Sequence, residues 1–169
     1  KEMDQYQLQY IEQPLGEEDI VDHAVLQKEI ETPVCLDESV VSYEAAEAAI
    51  RLGSCKVINI KSSRCGGVYE GKRIHDLCVA HGIPVWCGGM TELGIGRAQN
   101  VSFASLPGFT ELAHDVAAAN RYFDEDITSP IVDITDRCTI IVPDEDNGIR
   151  YEVDEKQIDK MEAGHWIFK

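Results

Sequence analysis

Three strand-like runs end on charged residues at nearly equal intervals, and this constrains the chain more than any other feature of its sequence. "YQLQYIEQP" carries Glu12, "TPVCLDES" carries Asp37 and "KVINIK" ends on Lys61, so the steps from 12 to 37 and from 37 to 61 are 25 and 24 residues. Helix patterns fill the gaps. "EEDIVDHAVLQKEIE" is amphipathic, and "SYEAAEAAIRLG" is alanine-rich, with Ser42 at its start and Gly53 as its stop. Further on come "GGVYEGKRIHDLCVAHG", a helix closed at Gly82, the strand "IPVWCGG", the helix "TELGIGRAQNVSFASLPG" and a short last strand "FTELA". Alternation at this spacing predicts βαβ units and a parallel sheet. Equal periods predict Glu12, Asp37 and Lys61 at one height, at the C-terminal ends of successive strands, where a (β/α) barrel keeps its active site.

The five strands of this pattern fall short of a closed barrel, which takes about 250 residues. The expectation is therefore a partial barrel over residues 1–120, followed by a C-terminal arm over 121–169. The arm is expected to hold a small hairpin turning at "DEDNG" and a short helix near "DEKQIDKME". With no methionine at its start, the chain is expected to be the C-terminal part of a larger protein.

Strand residues alternate between faces, so Val57, Asn59 and Lys61 share the barrel side while Ile58 and Ile60 face the helices. Tyr10 and Glu12, and Cys35 and Asp37, point inward by the same rule. Two carboxylates and an ammonium group then converge at one mouth. One reading is a structural ion cluster in which Lys61 pairs with Asp37. The other is a reaction centre, because charges set in register at strand ends are characteristic of functional sites. Hard carboxylate oxygens suit Mg²⁺. A lysine acts as a base only when neutral, a form that a neighbouring metal ion favours, and this coupling fits proton abstraction next to a substrate carboxylate.

Composition excludes several partners. Thirty-one acidic residues against fifteen basic ones give a formal charge of −16, which disfavours nucleic acid and anionic membranes. No apolar run approaches the roughly 18 residues of a membrane span. The six cysteines form no C-x-x-C pair and read as reduced thiols in a cytoplasmic protein. The histidines share no zinc spacing. Gly66 and Gly67 read as a tight strand-to-helix turn, and Trp86 as barrel wall.

The runs "YIEQPL", "CLDES", "INIKSSRCGG" and "GIPVWCGGMTELGIGRA" resemble barrel strands of the enolase superfamily. They are most similar to the o-succinylbenzoate synthase and N-acylamino acid racemase family of the muconate-lactonizing subgroup. The resemblance implies the C-terminal portion of a (β/α)7β TIM-type barrel and a Mg²⁺-dependent enzyme that abstracts the proton alpha to a carboxylate through an enediolate. It implies that Glu12 and Asp37 are the second and third metal ligands and that Lys61 is an acid/base. It also implies that Asn59, Gly88, Gly89 and Met90 border a small carboxylate substrate. The family's first metal Asp, its partner lysine and its capping domain have no counterpart here, and Ala113, His114 and Asp115 replace its usual Pro-Gly-Asp. Alternatives are a dipeptide epimerase, a muconate cycloisomerase, or a non-catalytic half-barrel that self-associates. Taken alone, the chain is expected to be inactive and, with open sheet edges, to be a homo-oligomer.

Overall fold

The structure, a computed structural model of the chain, describes residues 1–109, 111–142, 151–164 and 166. It divides into two compact units, one of residues 1–90 and 103–115, the other of residues 91–102 and 116–169.

The first unit holds a four-stranded sheet, β1 (Ile11–Glu12), β2 (Val34–Leu36), β3 (Val57–Ile60) and β4 (Val85–Cys87), in sequential order and parallel throughout. Three helices cross between the strands: α1 (Ile20–Glu29), α2 (Tyr43–Leu52) and α3 (Val68–Ala80). Their ends follow from local chemistry. The side chains of Asp19 and Ser42 accept the backbone N–H groups of Asp22 and Ala45, and Gly53 closes α2 in the left-handed conformation (φ 73°). Gly66 and Gly67, at φ 93° and 119°, make the tight turn into α3.

The two faces of the sheet are chemically distinct. Val34, Leu36, Ile58, Ile60, Val85 and Cys87 pack with helix residues such as Ala46, Ala49, Ile74 and Cys78, and with Phe103 and Phe109. On the opposite face Cys35, Val57 and Trp86 cluster with Tyr10 and Leu112, and Tyr10 stacks on Trp86 at 6.0 Å between ring centroids. This places Trp86 in the inner wall, on the face that carries Asn59 and Lys61. Of the six free cysteines, five are buried and Cys138 is exposed. Burial pushes the Cys55 and Cys78 thiols up to about 12.

Two elements differ from expectation. The first strand is only two residues long, because a 3-10 turn (Asp4–Tyr6) and a left-handed Gln7 occupy the segment before it, and Asp4 accepts from Thr32. The fifth strand shrinks to a single parallel bridge between Gly88 and Asp115, two residues beyond "FTELA", so that among the described residues the sheet has four strands and not five. Phe109 is instead drawn into the helix-side core, next to the left-handed Gly108. In the second unit, β5 (Thr128–Ser129) pairs antiparallel with β6 (Glu152–Val153). The expected turn at "DEDNG" lies outside the described residues.

The second unit also contains the part of α4 (Gly94–Ala104) up to Ser102, together with α5 (Glu155–Met161), capped by Asp154. Its interior holds a fully buried ion pair. Arg97 donates to Asp126 at 2.7 Å and to the Glu92 carbonyl at 2.6 Å, while Asp126 also accepts the N–H groups of Gly94 and Ile127. Ala98, Val101 and Val132 form the apolar cluster of this unit. No described helix is long and apolar enough to cross a membrane.

Candidate active site

Each predicted charged residue stands at or just beyond a strand end. Glu12 closes β1, Asp37 follows β2 and Lys61 follows β3. Their hydrogen-bond register is not level, however. Glu12 pairs across with Cys35, and Leu36 with Ile58, so that Asp37 stands two residues beyond Glu12 and Lys61 two residues beyond Asp37. A two-residue step keeps a side chain on the same face, and stagger of this kind is what tilted barrel strands require.

The cluster is joined by direct contacts. Lys61 Nζ donates to Asp37 Oδ2 at 2.7 Å, and the guanidinium of Arg64 takes the other oxygen, Oδ1. Arg64 also donates to the carbonyls of Val40 and Asn59, each at 3.2 Å, which fixes its planar head beneath the mouth. Asp37 is thus a buried carboxylate, 4% exposed, held between two cations. Asn59 is fully buried and donates from Nδ2 to Glu12 Oε1 at 2.9 Å. Its Oδ1 has no partner among the described residues and lies buried against Gly88.

Glu12 stands exposed at the strand end, yet part of its carboxylate lies against the sheet. That partial burial raises its pKa above the ordinary value, and the negative charge of Asp37 pushes the same way, while Asn59 and Lys61 oppose the shift. A carboxylate in this setting gains from a nearby cation. Glu12, Gln13, Leu15, Glu17, Asp37 and Glu38 line an open cleft of about 480 Å³. The oxygen donors of Glu12 and Asp37 fit a hard divalent ion as part of its ligand set. Among the described residues no third His, Cys, Asp or Glu completes the set.

Gly88, at the end of β4, is buried, and it is glycine for a reason of space. A Cβ there would come within 2.8 Å of Lys61 Cε and 2.7 Å of Asn59 Nδ2. Gly88 therefore adjoins the cluster directly. Gly89 and Met90 follow it, half-buried and 48% exposed. Beneath this segment the Cys87 N–H donates to His114 Nδ1 at 3.1 Å, which gives the unexpected Ala-His-Asp stretch a structural part.

Sequence reasoning missed Arg64 and Gln13. Arg64 was visible as a charge inside a glycine-containing turn three residues after the lysine. Gln13 carried no signal beyond its place between Glu12 and Pro14.

A parallel α/β sheet with crossover helices, whose C-terminal mouth gathers two carboxylates, a lysine and an arginine, defines the sheet of a (β/α)-barrel-type domain. The family is more specific. Residues 1–157 match the family described as "Enolase C-terminal domain-like", and the chain belongs to it. It is 51% identical over 160 residues to the o-succinylbenzoate synthase of Geobacillus stearothermophilus, covering 95% of this chain and 42% of that protein. It is 56% identical over 130 residues to an N-succinylamino acid racemase of Amycolatopsis, covering 77% and 35%. The crystal structure of an enolase-superfamily protein from Listeria innocua superposes with a TM-score of 0.88 at 43% identity, covering 95% of this chain and 42% of that one. The chain thus spans about two fifths of the length of the curated relatives it matches.

Proposed function

We propose that this chain supplies one acid–base face and two metal-binding carboxylates to an enzyme that removes the proton alpha to a substrate carboxylate. The reaction is the dehydration that forms o-succinylbenzoate, the racemisation of an N-acylamino acid, or both. The observation that carries this reading is the Lys61–Asp37 ion pair at the strand mouth, beside the Asn59–Glu12 hydrogen bond. The similarity to a synthase and to a racemase supports the two substrate classes together.

In this reading Glu12 and Asp37 hold Mg²⁺, which when bound offsets the negative charge that develops on the substrate carboxylate as the proton leaves. Lys61 exchanges that proton at Nζ. Arg64 retains Asp37 Oδ1 and keeps the carboxylate oriented as Lys61 changes its charge. Asn59 holds Glu12 Oε1 in place, and Gly88, Gly89 and Met90 border the substrate.

The test is Lys61→Ala in a full-length protein that carries this chain, assayed by racemisation, synthase turnover and exchange of the alpha proton with deuterated solvent. Loss of a positioned proton-transfer group is expected to lower kcat by about 10²–10⁴-fold with a much smaller change in KM. Wild-type turnover and exchange in this variant would overturn the assignment.

A further inference from the structure

Gln13 joins the two strand ends that carry the carboxylates. Its backbone N–H donates to the Cys35 carbonyl at 2.8 Å, the last rung between β1 and β2. Its backbone then turns left-handed, at φ 38°, a conformation uncommon for a residue with a Cβ. In an extended strand the residue after Glu12 would project to the helix face. The left-handed turn breaks that alternation, and the amide reaches the Asp37–Ser39 turn instead.

There the side chain is used at both ends. Oε1 accepts the N–H of Asp37 at 2.9 Å and the N–H of Ser39 at 3.4 Å, while Nε2 donates to Ser39 Oγ at 2.8 Å. Ser39, itself buried, donates a hydrogen bond from its hydroxyl to the Glu17 carbonyl at 2.6 Å. One amide group therefore ties the residue next to Glu12 to the backbone of Asp37.

We propose that Gln13 is a positioning residue that sets the separation and orientation of Glu12 and Asp37 for a divalent cation. This rests on the reading of those two carboxylates as metal ligands. Strand pairing ends at Leu36; Lys61 and Arg64 hold the Asp37 carboxylate, and Gln13 holds its backbone N–H. With Gln13 in place, the Asp37 N–H is anchored to the neighbouring strand end.

The experiment measures Mg²⁺ affinity by calorimetry and amide hydrogen exchange over residues 37–39 in the full-length protein. It compares wild type with Gln13→Leu, Gln13→Glu and Asp37→Asn. Gln13→Leu is expected to lower Mg²⁺ affinity by about 10–100-fold, the usual cost of losing a partner that orients a ligand, and to speed exchange at Asp37 and Ser39. Gln13→Glu keeps an acceptor oxygen for both N–H groups and is expected to restore slow exchange and affinity to at least the wild-type level. Faster exchange with unchanged Mg²⁺ affinity in Gln13→Leu would overturn the proposal and reduce Gln13 to a turn support. Mg²⁺ affinity that is unchanged in Asp37→Asn would instead sink the metal-ligand reading, and the proposal with it. Should Gln13→Leu not fold, Gln13→Glu decides: slow exchange together with a tenfold loss of affinity overturns the proposal.

Discussion

Replacing Gly88 with alanine is the smallest change that probes the geometry of the whole cluster. The added Cβ would stand 2.8 Å from Lys61 Cε and 2.7 Å from Asn59 Nδ2, whereas carbon atoms in contact settle at about 3.5–4.0 Å. Both neighbours must therefore give by about 1 Å or more. Asn59 is fully buried and bonded to Glu12, so it is the stiffer of the two. Lys61 has a long aliphatic stem whose side chain is 17% exposed, and its ammonium group is expected to be pushed off Asp37. Overpacking of this kind costs about 1–3 kcal/mol of stability, and a misplacement of about 1 Å at a reacting group costs about 10²-fold in rate. Thermal unfolding and steady-state kinetics on the full-length protein check both figures. The expected pattern is a modest fall in Tm with a fall in kcat that outstrips any change in KM. Wild-type kcat with a lowered Tm would show that Lys61 Nζ is not the group whose position limits the reaction.

Two further expectations concern stability. His114 has its pKa lowered by burial, and the Phe109 carbonyl only partly opposes this; its Nδ1 must also be unprotonated to accept the Cys87 N–H. Its contribution is therefore full above its ordinary value of about 6.5 and is lost as pH falls below it, so urea midpoints of wild type and His114→Asn should draw together between pH 7.5 and 5; parallel curves would refute this. In the second unit, Arg97→Leu leaves Asp126 buried without its cation and is expected to cost about 3–5 kcal/mol in denaturant unfolding, whereas pairing it with Asp126→Leu should recover part of that loss.

Much of this architecture was legible because it rests on local rules. Ser42 and Gly53 bound α2 through capping chemistry that a sequence displays directly. Face alternation separated Asn59 and Lys61 from Ile58 and Ile60 without reference to any tertiary contact. What escaped was set by contacts between loops. Arg64 reaches Asp37 across 27 positions, and Gln13 reaches Ser39 across 26, and neither pairing follows a periodic pattern. Strand length was misjudged where a short-range alternative won, as when Asp4 captured Thr32 in front of β1. The "FTELA" strand failed for a similar reason, since the Phe109 ring found better burial on the helix side than a sheet position would give it.

The two-residue offsets between Glu12, Asp37 and Lys61 bear on how such a chain can change length over evolution. Each offset is a whole pleat, so an insertion or deletion of two residues inside a strand moves a side chain along the mouth but leaves it on the same face. A single-residue insertion between Val34 and Asp37 would turn that carboxylate into the helix layer, away from Lys61 and Arg64. Length variation among homologues should therefore be confined to the segments after the last inward residue of each strand. Within the strands themselves it should be absent or come in pairs.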